Sequence, residues 1–263
     1  MLIASLPRPK SAWESLDLTT APAEGPVAFG DDLRPQSLLS AYRQGLYPFP
    51  ADTVEQRFLN EIGHEPDVAA GRVKLLAGSK DPYSVAWCSP DPRPLILVDR
   101  ARVQRSLRRL LRSRTGWTTT VDVCFERVVS LCREGRSERW LTDELIAGLC
   151  SLHTCGFAHS VEVWDDGRLV GGTFGVRVGA VFSADSQFTL SSGAGKVAVA
   201  ELTRRFAEAG GVAVDVQHDG DHARLLGARP VPRAEYLELL RSPRGSSPLS
   251  TGPRPARRLA DRQ

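Results

Sequence analysis

The segment Gly211-Val-Ala-Val-Asp215-Val-Gln217 is an apolar, β-rich run that ends in an acid and an amide two residues apart. Side chains i and i+2 of a strand share a face, so alternation predicts that Asp215 and Gln217 point into one space. A carboxylate beside a carboxamide can orient an amine or accept its proton. That chemistry suits acyl transfer without a metal or a covalent nucleophile. The bland alternative is a solvated strand end, so the pair needs support from the rest of the chain.

Composition narrows the field. With 263 residues, 41% hydrophobic and 25% charged, the chain has room for one large domain or two modest ones of ordinary soluble type. The net charge is only +3, but Arg100, Arg102, Arg105, Arg108, Arg109, Arg112 and Arg114 form a dense basic block. No wide apolar face accompanies it, so it reads as a footprint for nucleic acid before membrane. Cys88, Cys124, Cys132, Cys150 and Cys155 show no Cys-x-x-Cys pair or paired His spacing. No metal site is expected, and the cysteines read as buried small residues of a reducing compartment. Neither a signal peptide nor a membrane-spanning run is evident, which predicts a cytoplasmic protein.

The elements that must position the pair follow from period and punctuation. Residues 1–25 read as a flexible lead-in, and 51–83 as a long insertion or mobile loop. Helices are predicted over Arg34–Gly45, Val103–Leu111, Cys124–Cys132, from the cap Thr142 onward, over Lys196–Ala209 and over Arg233–Leu240. Strands are predicted at Trp117–Val121, Ala158–Trp164, Arg168–Phe174, Ala180–Ser183 and Val212–Gln217. Asp165-Asp166-Gly167 signals a hairpin between the second and third of these. Residues 242–263, rich in Pro, Ser, Gly and Arg, are expected to be a disordered tail. The order is that of an α+β acyltransferase-like domain.

Several ordered segments carry a resemblance. They are Gly30-Asp31-Asp32-Leu33, Ala41-Tyr42-Arg43-Gln44-Gly45-Leu46-Tyr47-Pro48-Phe49 and Trp87-Cys88-Ser89-Pro90-Asp91-Pro92-Arg93. Then come Arg105-Ser106-Leu107-Arg108-Arg109, Trp140-Leu141-Thr142, His159-Ser160-Val161-Glu162-Val163-Trp164 and Leu169-Val170-Gly171-Gly172, with the lone Lys196 and Asp215-Val216-Gln217 last. Together they closely resemble the leucyl/phenylalanyl-tRNA–protein transferase family. The resemblance implies a small N-terminal α/β domain (26–100) packed on an N-acetyltransferase-like aminoacyltransferase domain (101–241). It implies transfer of the aminoacyl group of an aminoacyl-tRNA to the α-amine of a protein with N-terminal Lys or Arg. No ATP or metal is implied, because the tRNA ester is already activated, and a monomer is expected.

By that resemblance Gln217 hydrogen-bonds the attacking amine, while Asp215 orients Gln217 and draws off charge. Arg105, Arg108, Arg109, Arg112 and Lys196 are the implied tRNA contacts. His153 and His159 read as core or strand residues. The aminoacyl pocket is implied to hold Phe49, Trp140, Thr173, Asp185, Ser186 and Gln187, and here the chain departs from the family. Phe49 replaces a Trp, Thr173 and Gln187 replace methionines, and Asp185 is one methylene shorter than a Glu. A polar group left unpaired against a leucyl side chain costs about 1–3 kcal/mol. The changes therefore raise an alternative: a more polar aminoacyl-tRNA, read by Asp185 and Gln187, with a small-molecule or peptide acceptor in specialised biosynthesis. A binding module that has lost catalysis is a third possibility, against which the retained Asp215 and Gln217 count. The Gly-rich loop of ordinary acetyltransferases is not evident.

Overall fold

The computed structural model describes residues 13, 16–30, 32–76, 81–134, 139–242, 244 and 247–261. The first half runs β1 (Pro26–Phe29), α1 (Pro35–Arg43), β2 (Tyr47–Pro50), α2 (Val54–Ala69), β3 (Lys74–Leu75), β4 (Val85–Cys88), β5 (Arg93–Leu97), α3 (Arg105–Ser113) and β6 (Trp117–Val121). After it come α4 (Phe125–Glu134), α5 (Asp143–Thr154), β7 (Ala158–Asp165), β8 (Arg168–Val178), β9 (Val181–Thr189) and α6 (Ala194–Glu208). The chain closes with β10 (Ala213–Asp215), α7 (Asp221–Leu226), β11 (Arg229–Val231), α8 (Arg233–Arg241), β12 (Arg254–Pro255) and a 3-10 helix (Ala256–Ala260). This is an α+β protein with two mixed sheets. Among the described residues, no helix is long and apolar enough to cross a membrane.

The sheets have the orders β2-β4-β1-β3 and β11-β5-β10-β9-β8-β7-β6-β12. Asp166 and Gly167 take positive φ, 46° and 77°, which a two-residue turn demands, and so close the β7–β8 hairpin. In β8, Gly171 and Gly172 face opposite ways. A Cβ on Gly171 would lie 2.5 Å from Ala194 of α6, and one on Gly172 would lie 2.7 Å from Phe188 and 3.3 Å from Val128 of α4. The pair thus lets helices approach both faces of one strand. β9 and β10 are parallel, so α6 makes the crossover between them. One core cluster joins Trp13, Leu38 and Trp87 to Phe125, Leu145 and Phe174, and so spans both sheets.

Four expectations are corrected. Residues 51–83 contain α2, opened by a capping box between Thr53 and Gln56. The helix hid because its apolar residues Val54, Phe58, Leu59 and Ile62 face solvent. Its inward contacts are few and mixed: Val68 packs on the cluster around Phe29 and Tyr83, Asn60 donates to the Tyr83 carbonyl at 3.1 Å, and the His64 and Phe29 rings are 5.3 Å apart. The lead-in is anchored by Trp13, buried with its ring 4.6 Å from that of Trp87. Residues 1–12, 14 and 15 lie outside the described residues, as does Asp31. β5, expected within the N-terminal domain, instead pairs with β10 and β11 in the larger sheet. The tail is also ordered over 247–261: Leu249, Ala256, Leu259 and Ala260 are buried, and β12 pairs with β6.

Boundaries shift for simple reasons. The strand beginning after Ala180 runs to Thr189 rather than Ser183, and β10 stops at Asp215 rather than Gln217. α3 starts at Arg105, two residues late, with Gln104 extended as its N-cap.

Candidate active site

β10 ends at Asp215 because the side chain captures the backbone. Asp215 Oδ1 accepts from the Gln217 amide at 2.9 Å, and Gln217 takes φ 64°. This is a side-chain-closed turn, in which Asp stands in for a backbone acceptor. Asp215 and Gln217 do converge, but through a turn and not through strand alternation.

The other Asp215 oxygen is surrounded by donors. Arg93 reaches Oδ2 from Nε at 3.0 Å and Nη2 at 2.8 Å, and the Ser183 and Tyr236 hydroxyls each stand 3.3 Å from it. Both side chains of the Arg93–Asp215 pair are 0% exposed. The guanidinium lies between two rings, 4.8 Å from the Tyr47 centroid and 4.5 Å from that of Tyr236. Burial pulls the Arg93 cation down, but the Asp215 charge outweighs it and holds the guanidinium above its ordinary value.

Gln217, also buried, spends its amide hydrogens on Asp185 Oδ1 at 2.6 Å and on Ser183 Oγ at 3.1 Å. Ser183 gives its own hydrogen to Asp215, so it can only accept here, which fixes which end of the amide is nitrogen. Oε1 is left to accept a hydrogen bond from outside the network. Asp185 in turn accepts from the Tyr42 hydroxyl at 2.8 Å on Oδ2. β8 and β9 shift register between Phe174 and Gly175, so Asp185 sits in a bulge, a device that re-aims a side chain. β9 pairs with β10 only at Val181–Ser183, then continues to Thr189 without it. The two strands part where Asp185 and Gln217 face one another.

Burial pushes the Asp185 carboxyl up to about 8; the Tyr42 hydrogen bond opposes this and the Asp215 charge adds to it. In the unfolded chain the carboxyl releases its proton near its ordinary 3.8. The folded state's advantage is therefore complete below about pH 3.8 and is lost as pH rises through about 8. Chemical unfolding of the parent and Asp185→Asn between pH 5 and 8 measures this. The parent is expected to lose stability relative to the variant by up to about 1.4 kcal/mol per pH unit. Parallel curves would show that Asp185 is ionised throughout.

The six residues grouped as an aminoacyl pocket are found in four settings. Phe49 and Trp140 stack, with centroids 6.0 Å apart and planes 13° apart. The Thr173 hydroxyl donates to the Ser186 carbonyl at 2.8 Å, so its polar atom is satisfied within the sheet. Asp185 belongs to the Gln217 network. Gln187 lines a cavity of about 490 Å³ with Leu131, Cys132, Glu134 and Phe188.

The tRNA candidates are brought together on the other face of β5. Leu95 and Leu97 pack with Tyr236, whereas Ile96 and Val98 line a second cavity of about 460 Å³ between α3 and α6. Arg108 and Lys196 both line it, joined by Arg102 and Arg204. Arg105, Arg109 and Arg112 stand exposed beside it on α3, and among the described residues none of the three forms an ion pair. His159 and His153 serve structure: His159 Nδ1 is 2.7 Å from Asp122 Oδ2, and His153 Nδ1 is 2.9 Å from the Ala158 carbonyl.

Sequence reasoning missed Arg93, Tyr42, Ser183 and Tyr236 as members of the site. Arg93 and Tyr42 lie inside quoted motifs, which was signal enough to test them. Ser183 and Tyr236 carried none.

Residues 95–241 match the family described as leucyl/phenylalanyl-tRNA protein transferase. A leucyl/phenylalanyl-tRNA–protein transferase of Xanthomonas oryzae pv. oryzae is 36% identical over 81% of this chain and 75% of its own. Proteins of the same name from Myxococcus xanthus and Chromohalobacter salexigens are 35% and 34% identical. They cover 84% and 97% of this chain, and 83% and 89% of their own lengths. Among solved structures, the C-terminal domain (DUF2156) of a putative lysylphosphatidylglycerol synthetase from Agrobacterium fabrum aligns at 14% identity. It covers 48% of this chain and 45% of its own with a TM-score of 0.34, too low to argue from.

Proposed function

Because the chain belongs to the leucyl/phenylalanyl-tRNA–protein transferase family, we propose a division of labour among its residues for moving an aminoacyl group from tRNA to a protein's N-terminal α-amine. The enzyme is an aminoacyltransferase, and the bond it makes is an amide. The amine must arrive neutral and aimed at the ester carbon, the ester oxygen must gain charge briefly, and the tRNA ribose hydroxyl must leave. Gln217 Oε1 accepts from the attacking nitrogen. Asp185 and Ser183 hold the Gln217 side chain, and Asp215 holds its backbone. Arg93 is the positive charge nearest Asp215. The observation that carries this assignment is that both Gln217 donors are already engaged, so its side chain has only an acceptor to offer a substrate.

The N-terminal elements to β4 form the small domain, and the eight-stranded sheet forms the N-acetyltransferase-like unit. The stacked Phe49 and Trp140, with Thr173, Ser186 and Gln187, border the aminoacyl end of the donor. Arg105, Arg108, Arg109, Arg112 and Lys196 meet the tRNA phosphates. The reaction needs neither ATP nor metal, since the ester is activated. The enzyme works as a cytoplasmic monomer on acceptors with N-terminal Lys or Arg.

A polar donor with a small-molecule acceptor is not favoured. Asp185, offered as the reader of a polar side chain, has both oxygens engaged by Tyr42 and Gln217, and the named relatives are protein transferases. A panel of charged tRNAs with an Arg-N-terminal peptide decides the point. Transfer from Leu- or Phe-tRNA onto the peptide α-amine is expected; a clear preference for a polar aminoacyl-tRNA would overturn it.

A further inference from the structure

Residues 247–261 lie beyond the 95–241 that match the family, and so far they have no role. They are tied to the two helices that carry the tRNA candidates. Ala256, Leu259 and Ala260 are buried in one cluster with Leu107 and Leu111 of α3. β12 sets Arg254 and Pro255 against Thr119 and Thr118, covering the edge of β6. On α6, Arg205 is buried and holds Glu201 at 2.5 Å, the Thr119 carbonyl at 3.1 Å and the Ser250 carbonyl. Arg258 of the tail reaches the same Glu201 at 2.7 Å. Leu259 and Asp261 complete the wall of the cavity that Arg108 and Lys196 line.

The tail also carries charge to that surface. Arg254, 2.6 Å from Glu208, shares that acid with Arg204, and Arg258 shares Glu201 with Arg205. Arg257 is exposed and, among the described residues, forms no ion pair. It sits on the 3-10 helix whose buried residues pack on α3, the helix on which Arg105, Arg109 and Arg112 are likewise unpaired. Elsewhere on the surface Arg57, Arg72, Arg127 and Arg224 each hold an acid, while Arg168, Arg229 and Arg241 are exposed and scattered without an ion pair among the described residues, so what marks the α3 face is the density of its cations. In the cavity lining Arg102, Arg108, Lys196 and Arg204 meet one acid, Asp261, and such an excess of cations repels itself until a polyanion arrives.

We propose that the C-terminal tail is a working part of the tRNA surface, seating α3 and adding Arg257 to its phosphate-contacting face. The proposal rests on α3 being a tRNA-binding helix. Its test compares three variants of the full chain for binding of uncharged tRNA across a salt series, and for transfer kinetics. Arg257→Ala is expected to reduce the slope of log affinity against log salt by about 0.7–0.9, the value for one phosphate contact. It is also expected to raise KM for charged tRNA about 3- to 10-fold, with kcat and the unfolding midpoint held. Arg109→Ala on α3 should behave alike. Arg127→Ala, on α4 against the opposite face of β8, should leave the slope unchanged. A slope altered by Arg109→Ala but not by Arg257→Ala overturns the role of the tail alone. If neither variant alters it, the tRNA surface lies elsewhere and both assignments fall. A fall in the Arg257→Ala unfolding midpoint that accounts for the KM change would make the tail a structural strap only.

Discussion

Asp215→Ala is expected to lower stability by about 3–5 kcal/mol and transfer by at least about 10²-fold. The stability loss comes from what remains behind. Arg93 is fully buried, and its Nη1 already lacks a hydrogen-bond partner. Without Asp215 the guanidinium keeps a long hydrogen bond to the Tyr236 hydroxyl at 3.3 Å and the faces of Tyr47 and Tyr236, the faces worth about 0.5–2 kcal/mol each against a far larger desolvation cost. Asp185 is the nearest source of relief: freed of Asp215's repulsion, it would ionise more readily and answer part of the charge. The double variant Arg93→Met with Asp215→Leu removes both charges and should recover much of the stability, but none of the activity. Urea unfolding at constant m-value reads the first effect. A shift of the single variant below about 1 kcal/mol would mean that water or Asp185 replaces the carboxylate, and that the pair is not what holds β5 to β10.

This pair also shows what the sequence could and could not reveal. Local chemistry was legible. Asp166-Gly167 must turn, Thr142 must cap, and the α6 stop at Gly210-Gly211 stands where it was expected. Asp215 and Gln217 were found because they lie two residues apart. Arg93 lies 122 residues from Asp215, and Tyr42 lies 143 from Asp185, so their pairing exists only once β5 joins β10 and α1 packs inward. The tail failed for a related reason. Ala256, Leu259 and Ala260 are too few to mark a core segment, and they become anchors only against Leu107 and Leu111. In α2 the capping box at Thr53 was a readable signal, but an apolar stripe turned to solvent gave no buried face to reason from. The aminoacyl substitutions misled in another way. Thr173 looked like a polar intrusion into an apolar pocket, yet its hydroxyl is satisfied by the neighbouring strand.

The acceptor role of Gln217 makes a sharper expectation than its presence does. Gln217→Ala removes the hydrogen bond that aims the amine, and kcat is expected to fall about 10²- to 10³-fold, or about 2.7–4 kcal/mol of barrier. KM for charged tRNA should hardly move, since Gln217 lies across the sheet from the α3–α6 cavity. Gln217→Glu separates the two ways in which the amide could act. It keeps an oxygen where Oε1 lies but loses the donor to Asp185, and it sets a second carboxyl 2.6 Å from Asp185 Oδ1. Two carboxyls that close cannot both ionise, so they share a proton and the hydrogen bond survives. If Oε1 is the working atom, Gln217→Glu should retain well more activity than Gln217→Ala while the shared proton is held, and lose it as pH rises. If instead an amide hydrogen reaches the substrate, Gln217→Glu should be no better than alanine at any pH. Single-turnover transfer from preloaded charged tRNA, followed from pH 6 to 9, distinguishes the two outcomes. Equal rates for both variants across that range would remove Gln217 Oε1 from the reaction and leave an amide hydrogen as the working group.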